Sequence, residues 1–226
     1  CDLPADGDPA ILPTMTRITD NMRGKFLVVD GPDGAGKSTQ LDLLEAWLRD
    51  EGLPVRRAVD PGGTAAGQKI RELLLHSKEI DLSHMCETLL FMASRAQLVD
   101  EVVRPALRDG HVVLCDRFIS ATLAYQGALG VETELIVKLG GLAVENLWPD
   151  FTIVLDLPAE VGLARIARER DRMESRADDY HRAVCENFRR LRHVYPGPVG
   201  YIDADAAPEE VAKRIRDLLA IRFAED

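Results

Sequence analysis

The sequence predicts an α/β protein in which helices cover both faces of a five-stranded parallel sheet, giving three layers. Strand-like runs and helical patterns alternate along the chain, which is the order expected of repeated strand–helix–strand units. The strand-like runs are also apolar almost throughout, as in strands that are buried on both faces. A chain of 226 residues, 46% of them apolar and 29% charged, is long enough for one domain with a substantial core.

The predicted strands are short apolar runs at residues 25–30, 54–59, 111–115, 151–157 and 199–202. The predicted helices are amphipathic patterns near residues 39–50, 65–75, 84–108, 132–146, 159–173, 178–194 and 208–220. Residues 1–24 differ from the rest, since they contain Pro4, Pro9 and Pro13 and show no such pattern. We interpret them as a tail or linker, and residues 25–226 as the folded domain.

A glycine-rich segment follows the first predicted strand, and a helical pattern begins after it at Thr39. The segment is Gly31-Pro32-Asp33-Gly34-Ala35-Gly36-Lys37-Ser38. The G-x-x-x-x-G-K-[ST] pattern between a strand and a helix is typical of a phosphate-binding loop. Its glycines let successive N–H groups point at a phosphate chain, and the helix N-terminus adds to the attraction. Lys37 would reach the terminal phosphates and Ser38 would hold Mg²⁺. Residues 31–39 are therefore predicted to bind the phosphates of a nucleotide, which leaves GTPases, ATPases, transport motors and small-molecule kinases open.

Composition excludes several classes. The net charge of −10 argues against a nucleic-acid-binding surface, and no apolar run approaches the roughly 18 residues of a membrane span. The four cysteines form no C-x-x-C pair, which indicates a reducing, cytoplasmic setting. An N-K-x-D guanine reader and an L-S-G-G-Q segment are both missing from the sequence, so GTPases and ABC-type motors are not favoured.

Four segments together carry a resemblance: the glycine-rich loop, Asp60-Pro61-Gly62-Gly63-Thr64, Phe91-Met92-Ala93-Ser94-Arg95-Ala96-Gln97, and Asp116-Arg117-Phe118 through Ala124-Tyr125-Gln126-Gly127. In order and spacing they resemble the thymidylate kinase family, over residues 25–222. The resemblance implies a P-loop NTPase fold and the Mg²⁺-dependent reaction of ATP with dTMP to give ADP and dTDP. It also implies a homodimer.

The resemblance implies roles at the phosphate end of the site. Lys37, Asp33 and Arg117 would be catalytic, with Arg117 on the acceptor phosphate, where its planar fork suits the ligand. Asp33 would hold the sugar 3′-hydroxyl, although an Asp there can also cap the following turn. Asp116 would orient Arg117 or bind Mg²⁺ through water, and a purely structural ion pair is the alternative.

The base end is assigned in the same way. Phe91 and Arg95 are four residues apart, so they share one face of the predicted helix 84–108. The core face of that helix is predicted from its apolar stripe, which is Leu89, Met92, Ala96, Val99 and Val103. By resemblance, Phe91 stacks on the base and Arg95 binds its carbonyl edge. Burial of Phe91 and a surface ion pair for Arg95 are the alternatives.

Three residues of the fourth segment complete the acceptor site by resemblance. Thr122 and Gln126 would face the base, and Tyr125 would close the space where a ribose 2′-hydroxyl would lie. Bulk at that point favours a deoxyribose through steric exclusion.

A mobile lid is predicted at about residues 159–176. Arg165, Arg168, Arg172 and Arg176 fall on one helical stripe, and the lid would bring their charge to the transferring phosphate. Relatives with glycine at the position of Gly34 generally supply a catalytic arginine from the lid. Arg172 is the first candidate, since residues 171–174 resemble the family's D-R-x-E segment, and Arg168 is the second. A solvated helix face with pairs such as Arg165 and Glu169 is the alternative.

Three positions depart from the family pattern. Val59 stands where many members have arginine, Asp60 replaces a longer carboxylate, and Ala121 replaces a serine. Two rival functions also stay open at this point. One is a kinase for another nucleotide or nucleoside, and the other is a nucleotide-binding module without catalytic activity.

Overall fold

The computed structural model describes residues 21–77, 79–166 and 171–224. Its sheet consists of five parallel strands, which are β1 (Phe26–Asp30), β2 (Val55–Val59), β3 (Val112–Asp116), β4 (Phe151–Asp156) and β5 (Val199–Asp203). Their order across the sheet is β2-β3-β1-β4-β5. Parallel strands need crossover connections, and helices provide them on both faces. The predicted fold class is confirmed.

The helices of the described ranges are α1 (Lys37–Asp50), α2 (Ala65–Leu75), α3 (His84–Leu98), α4 (Arg104–Arg108), α5 (Ile119–Tyr125), α6 (Thr133–Ala143), α7 (Ala159–Ala164), α8 (Asp178–Val194) and α9 (Pro208–Ala224). Sequence analysis did not predict α5. In these ranges, none of the helices has both the length and the apolar character that crossing a membrane requires.

The predicted helix 84–108 is two α-helices joined by a π-helical turn at Val99–Val103. The N–H of Arg104 bonds to the carbonyl of Val99, five residues back. Pro105 explains the wider turn, because it has no N–H to donate and its ring crowds the carbonyl of Glu101.

The predicted continuous helix 159–173 is wrong. Helix α7 ends at Ala164, and Asp171 begins a turn in which its carboxylate accepts from the N–H groups of Met173 (2.8 Å) and Glu174 (2.9 Å). An Asp side chain that satisfies backbone donors in this way competes with helix formation. Arg165, Arg172 and Arg176 therefore do not share a helical stripe, and Arg168 lies outside the described residues.

Both faces of the sheet are buried. Along β1, Phe26 and Val28 pack in the cluster on one face, while Leu27 and Val29 pack in the cluster on the other. Successive strand residues point to opposite faces, so a strand covered on both sides needs apolar residues at every position. Because both faces are apolar, the polar groups of the sheet lie where the strands end, and ligands bind outside the carboxyl ends.

Two residues of the predicted tail, Asn21 and Met22, pack against the domain. Met22 is fully buried with Leu27 and Phe223 in the second core cluster, and the side chain of Asn21 donates to the carbonyl of Phe223. The sequence pattern did not reveal this packing because one buried methionine shows no periodicity. The remainder of the predicted tail, residues 1–20, lies outside the described residues.

Candidate active site

A cavity of about 940 Å³ opens at the carboxyl ends of β1, β2 and β3. The structure brings most of the predicted site residues together around it, namely Asp33, Gly34, Ala35, Gly36, Lys37, Ser38, Thr39, Phe91, Arg95, Asp116, Arg117, Thr122, Tyr125 and Gln126. Gly31, Pro32 and Arg172 are not among the lining residues. The location is the one where open parallel sheets bind ligands.

Two glycines allow the loop between β1 and α1 to curl. Gly36 adopts a left-handed conformation (φ +87°) at the start of α1. Gly34 also has a positive φ (+75°), and a Cβ there would lie 2.0 Å from the carbonyl oxygen of Gly162. Any side chain at position 34 is therefore excluded by the close approach of α7, so an arginine would not fit at this point of the loop.

Lys37 is the first residue of α1 and folds back over the loop. Its Nζ donates to the carbonyl oxygens of Pro32 (2.7 Å) and Gly31 (3.1 Å). Burial lowers the pKa of Lys37 from its usual 10.5 to about 8, and the nearby guanidinium of Arg117 acts in the same direction. The ammonium thus occupies the centre of the loop, where phosphate oxygens can replace the two carbonyls.

Arg117 follows β3 directly and has an unusual backbone conformation for a non-glycine residue (φ +67°). Its Nη1 donates to Asp30 Oδ1 (3.2 Å) and to the carbonyl oxygen of Gly31 (3.0 Å). Its Nη2 donates to Asp33 Oδ1 (2.5 Å) and to Tyr125 Oη (3.1 Å). These contacts join the phosphate loop to α5 and hold the guanidinium at the cavity in one orientation.

Asp33 pairs with Arg117 and does not cap the turn that follows it. Burial by itself would raise the pKa of Asp33, but the charges of Arg117 and Lys37 outweigh burial and lower the pKa. The carboxylate is therefore ionised at neutral pH and can accept a hydrogen bond from a bound hydroxyl.

Asp30 is a site residue that sequence analysis missed. It is fully buried at the end of β1, and its carboxylate accepts from Ser120 Oγ (2.6 Å), from the Gly31 N–H (2.9 Å) and from Arg117. Burial raises the pKa of Asp30 despite these contacts. The available signal was an acidic residue at the carboxyl end of an otherwise apolar strand.

Arg95 is buried, with 1% of its surface exposed, and is held by four groups. Its Nε donates to Asp60 Oδ2 (2.5 Å), and its Nη2 donates to Thr122 Oγ1 and to the carbonyl oxygen of Phe118 (both 3.1 Å). Its Nη1 lies 3.1 Å from the sulfur of Met92. The alternative of a surface ion pair for Arg95 is therefore wrong. Asp60 belongs to a motif singled out in the sequence, but its pairing with Arg95 was not predicted.

The core stripe predicted for α3 is wrong at Leu89, which is 48% exposed. The inner face of this helix carries polar residues, because Glu87, Ser94 and Arg95 are buried, and Arg95 lines the cavity. Phe91 is half-buried and packs with the apolar cluster of Leu74, Leu75 and Met173. Hydrophobicity alone does not identify the inner face of a helix that borders a polar site.

The α5 residues contribute at the same end of the cavity. Thr122 accepts from Arg95, Tyr125 Oη accepts from Arg117, and Gln126 Nε2 donates to Glu87 Oε2 (3.4 Å). The guanidinium carbon of Arg117 lies 4.9 Å from the centre of the Tyr125 ring, which is a cation–π distance. A short helix absent from the predictions therefore positions Thr122 and Tyr125, and Gln126 follows as its C-cap.

Comparison with known proteins agrees with this geometry. The thymidylate kinase family model matches residues 29–215. A thymidylate kinase of Synechococcus sp. (strain JA-2-3B'a(2-13)) is 46% identical over 199 residues, covering 88% of this chain and 95% of the relative. Thymidylate kinases of Exiguobacterium sp. (42% identity; 87% and 94% coverage) and Rhodopseudomonas palustris strain TIE-1 (41%; 92% and 94%) are also similar.

The chain belongs to the thymidylate kinase family.

The resemblance to thymidylate kinases implied a Mg²⁺ ion, and the residues of this site fit one. Asp116 and Ser38 both line the cavity, and Asp116 Oδ1 is buried without a hydrogen-bond partner among the described residues. Oxygen ligands from one or two protein groups, completed by substrate phosphates, are what Mg²⁺ usually takes. The side chain of Asp116 does not bond to Arg117, whose carboxylate partners are Asp30 and Asp33.

The predicted lid of this thymidylate kinase family member separates into two parts. Arg165 lines the cavity and pairs with Asp205 (2.9 Å). Arg172 and Arg176 instead pair with Glu87 on α3. The alternative pair of Arg165 with Glu169 involves a residue outside the described ranges.

Two further parts of the cavity were not identified from the sequence. Arg71 on α2 lines the cavity and donates to the carbonyl oxygen of Pro61 (2.9 Å). Gln40, which also lines the cavity, donates to the carbonyl oxygen of Pro208 (2.9 Å) and joins α1 to the first residue of α9. Neither region contains a recognisable motif, so only the fold brings them to the site.

Proposed function

We propose that the protein transfers the γ-phosphoryl group of ATP to dTMP, giving ADP and dTDP for dTTP synthesis. The observation that carries the proposal is one cavity with Lys37 of the phosphate loop, Arg117 and the buried pair of Arg95 and Thr122 along its wall. A nucleotide donor site and a site with fixed polar groups for a second nucleotide thus share one space.

The donor side follows from the phosphate loop. Residues 31–39 bind the ATP phosphates through backbone N–H groups and the N-terminus of α1, while Lys37 neutralises the terminal charges. The adenine lies toward Arg165 and the loop after β5, which line the same cavity. Ser38 and Asp116 would hold the Mg²⁺ ion, and the ion would supply positive charge to the transferring phosphate when bound.

The phosphate and sugar of dTMP occupy the middle of the cavity. The four contacts of Arg117 use its Nη hydrogens, so it binds the acceptor phosphate through its charge and its Nε–H. Arg71 adds a second guanidinium. The ionised Asp33 accepts from the 3′-hydroxyl. Tyr125, held by Arg117, fills the space beside the sugar and excludes a ribose 2′-hydroxyl.

The thymine lies at the Arg95 end. Phe91 stacks on the ring, and Arg95 and Thr122 offer polar groups whose orientation is already set by buried contacts. Gln126 contributes its amide. Groups fixed in advance lose little entropy when a base binds, so this end favours one base over others.

Transfer itself needs alignment and charge neutralisation more than covalent chemistry. Lys37 and Arg117 reduce the repulsion between two anionic substrates, and Asp33 positions the acceptor. Arg172 is the proposed lid arginine, and to reach the phosphates it must leave Glu87. Arg168 is the second candidate of the same segment.

The test is ADP release from Mg²⁺-ATP with dTMP, dUMP, dCMP, GMP, AMP, UMP and thymidine as acceptors. We expect dTMP to be preferred by kcat/KM. Preference for another acceptor would keep the kinase and overturn Phe91, Arg95, Thr122 and Tyr125 as readers of dTMP. ATP binding without turnover of any acceptor would favour the binding-module alternative.

We further propose a homodimer in the cytoplasm. Met85 and Leu89 on α3 and Leu142 on α6 are exposed apolar residues, and these two helices pack against each other. Leu142 is 78% exposed, and paired copies would cover it. Cys86, Cys115 and Cys185 are free thiols, in keeping with a reducing compartment. Light scattering should give twice the chain mass for the wild type and the chain mass for Leu142→Glu.

A further inference from the structure

Glu87 is a buried carboxylate outside the predicted site that contacts three cationic or amide side chains. Its side chain is 1% exposed, and its Oε1 accepts from Arg172 Nη2 and from Arg176 Nη2 (3.0 Å). Its Oε2 accepts from Gln126 Nε2 (3.4 Å). One carboxylate on α3 therefore joins the segment after α7 to the end of α5.

The two arginines anchor a segment that closes one side of the cavity. Asp171, Met173 and Glu174 line the cavity, whereas Arg172 and Arg176 point to Glu87. Met173 is buried in the cluster that also contains Phe91. Removing the carboxylate would leave two guanidinium groups without their shared counter-charge, so the segment and Met173 would shift away from Phe91.

The third contact sets the orientation of the Gln126 amide. An ionised carboxylate only accepts hydrogen bonds, so the Gln126 nitrogen must face Glu87 and its oxygen is left for another donor. The ring N3–H of thymine is such a donor, whereas N3 of cytosine is an acceptor. Glu87 thereby decides which hydrogen-bonding group Gln126 presents at the base end.

We propose that Glu87 is a positioning residue for the acceptor base, acting through the orientation of Gln126 and through the anchored segment 171–176. The inference rests on the proposed function, since it concerns the same dTMP site. Glu87 does not touch the reacting phosphates, and its contribution is to base binding and to discrimination between thymine and cytosine.

The test is Glu87→Gln, which keeps the shape and removes the charge. We expect KM for dTMP to rise about 10-fold, because contacts to a buried charged group are lost, while KM for ATP stays within about 3-fold. The preference for dTMP over dCMP, measured by kcat/KM, should fall. Glu101→Gln is the matched control, since Glu101 accepts from Gln97 on the same helical stretch but is exposed.

A purely structural role gives a different pattern. Loss of folded protein lowers apparent kcat with KM for dTMP unchanged, and that result in a soluble E87Q protein would overturn the inference. In a Gln126→Ala background, E87Q should leave the ratio of dTMP to dCMP unchanged. A further change of the ratio there would overturn the action through Gln126. Glu87→Asp keeps the charge and should recover part of the lost dTMP affinity.

Two controls separate the possible failures. Should E87Q not fold, Arg176→Gln tests the same anchor from a side chain that is 22% exposed, and an unchanged KM for dTMP would overturn the inference. A wild-type protein that leaves dTMP unphosphorylated would overturn the proposed function and this inference with it. An active wild type with an unchanged E87Q would overturn this inference alone.

Discussion

The guanidinium of Arg95 is buried against the carboxylate of Asp60, with 2.5 Å between Arg95 Nε and Asp60 Oδ2. Both side chains have at most 1% of their surface exposed. Burial raises the pKa of Asp60, although the charge of Arg95 opposes the shift. The pair connects α3 to the segment that follows β2, and it fixes the arginine proposed to bind the base carbonyl.

Asp60→Asn should destabilise the protein by about 3 kcal/mol, since breaking a buried ion pair leaves an uncompensated charge. Urea unfolding would measure the free energy change, and steady-state kinetics should show a raised KM for dTMP. Asp42→Asn is the control, because Asp42 pairs with Arg57 but is 76% exposed and should change stability by less than about 1 kcal/mol. Equal effects of the two variants would contradict the burial argument.

ATP binding should weaken as Lys37 loses its proton. The pKa of Lys37 is about 8 in the folded protein, below its usual 10.5, so the ammonium is present at pH 7 and largely lost by pH 9. Titration calorimetry should show affinity falling about 10-fold over that range, as expected for one coupled proton. Lys37→Arg keeps its charge and should abolish the dependence, and a pH dependence that persists in it would assign the effect to another group.

The same depressed pKa affects stability with the opposite sign from an ion-paired lysine. Between pH 8 and 10.5 the unfolded chain holds a proton on Lys37 that the folded protein has lost. The contribution of Lys37 to the free energy of unfolding should therefore increase as pH rises through that window.

Lys37→Ala should fold normally and lack turnover. Lys69→Ala, on the exposed face of α2, should change neither property.

Phe91→Ala should weaken dTMP binding far more than ATP binding, because Phe91 lines the cavity at the base end. A stacked ring contributes about 1–3 kcal/mol. Leu90→Ala is the matched control, since Leu90 packs in the same apolar cluster and is not among the lining residues. Equal losses for both substrates in the Phe91 variant would indicate that the ring only packs.

Met22→Ala should lower the free energy of unfolding by about 2–5 kcal/mol, the usual cost of truncating a buried methionine. Its kcat/KM should be unchanged, because Met22 lies in the cluster between the sheet and α9, away from the cavity. Ile221→Ala, at a position that is 68% exposed, should leave stability almost unchanged. Unfolding midpoints in urea distinguish the two, and a neutral Met22 variant would place the start of the domain at β1.

Part of the site could be read from residue order alone because it depends on local backbone chemistry. The loop from Gly31 to Ser38 needs glycines at fixed points, a lysine at the first helical turn and a strand before it. The alternation of apolar strands with amphipathic helices was equally predictable, since strands covered on both faces are apolar throughout and the covering helices are amphipathic. The family followed from four such segments in order.

Other features depend on contacts between residues far apart in the chain, and no local pattern carries them. Asp30 with Ser120, Asp60 with Arg95 and Glu87 with Arg172 are each joined only after the sheet has assembled. The exposed Leu89 and the turn at Asp171 show the same limit, because burial and capping were decided by neighbours rather than by hydrophobicity.

The sheet, the phosphate loop and the family could be predicted from adjacent residues, because periodicity and short motifs are local. Which charges pair and which arginines face the cavity depends on the folded chain. The reason is physical: a buried charge takes the partner that the fold brings within hydrogen-bond distance, and that partner is set by packing across the whole chain.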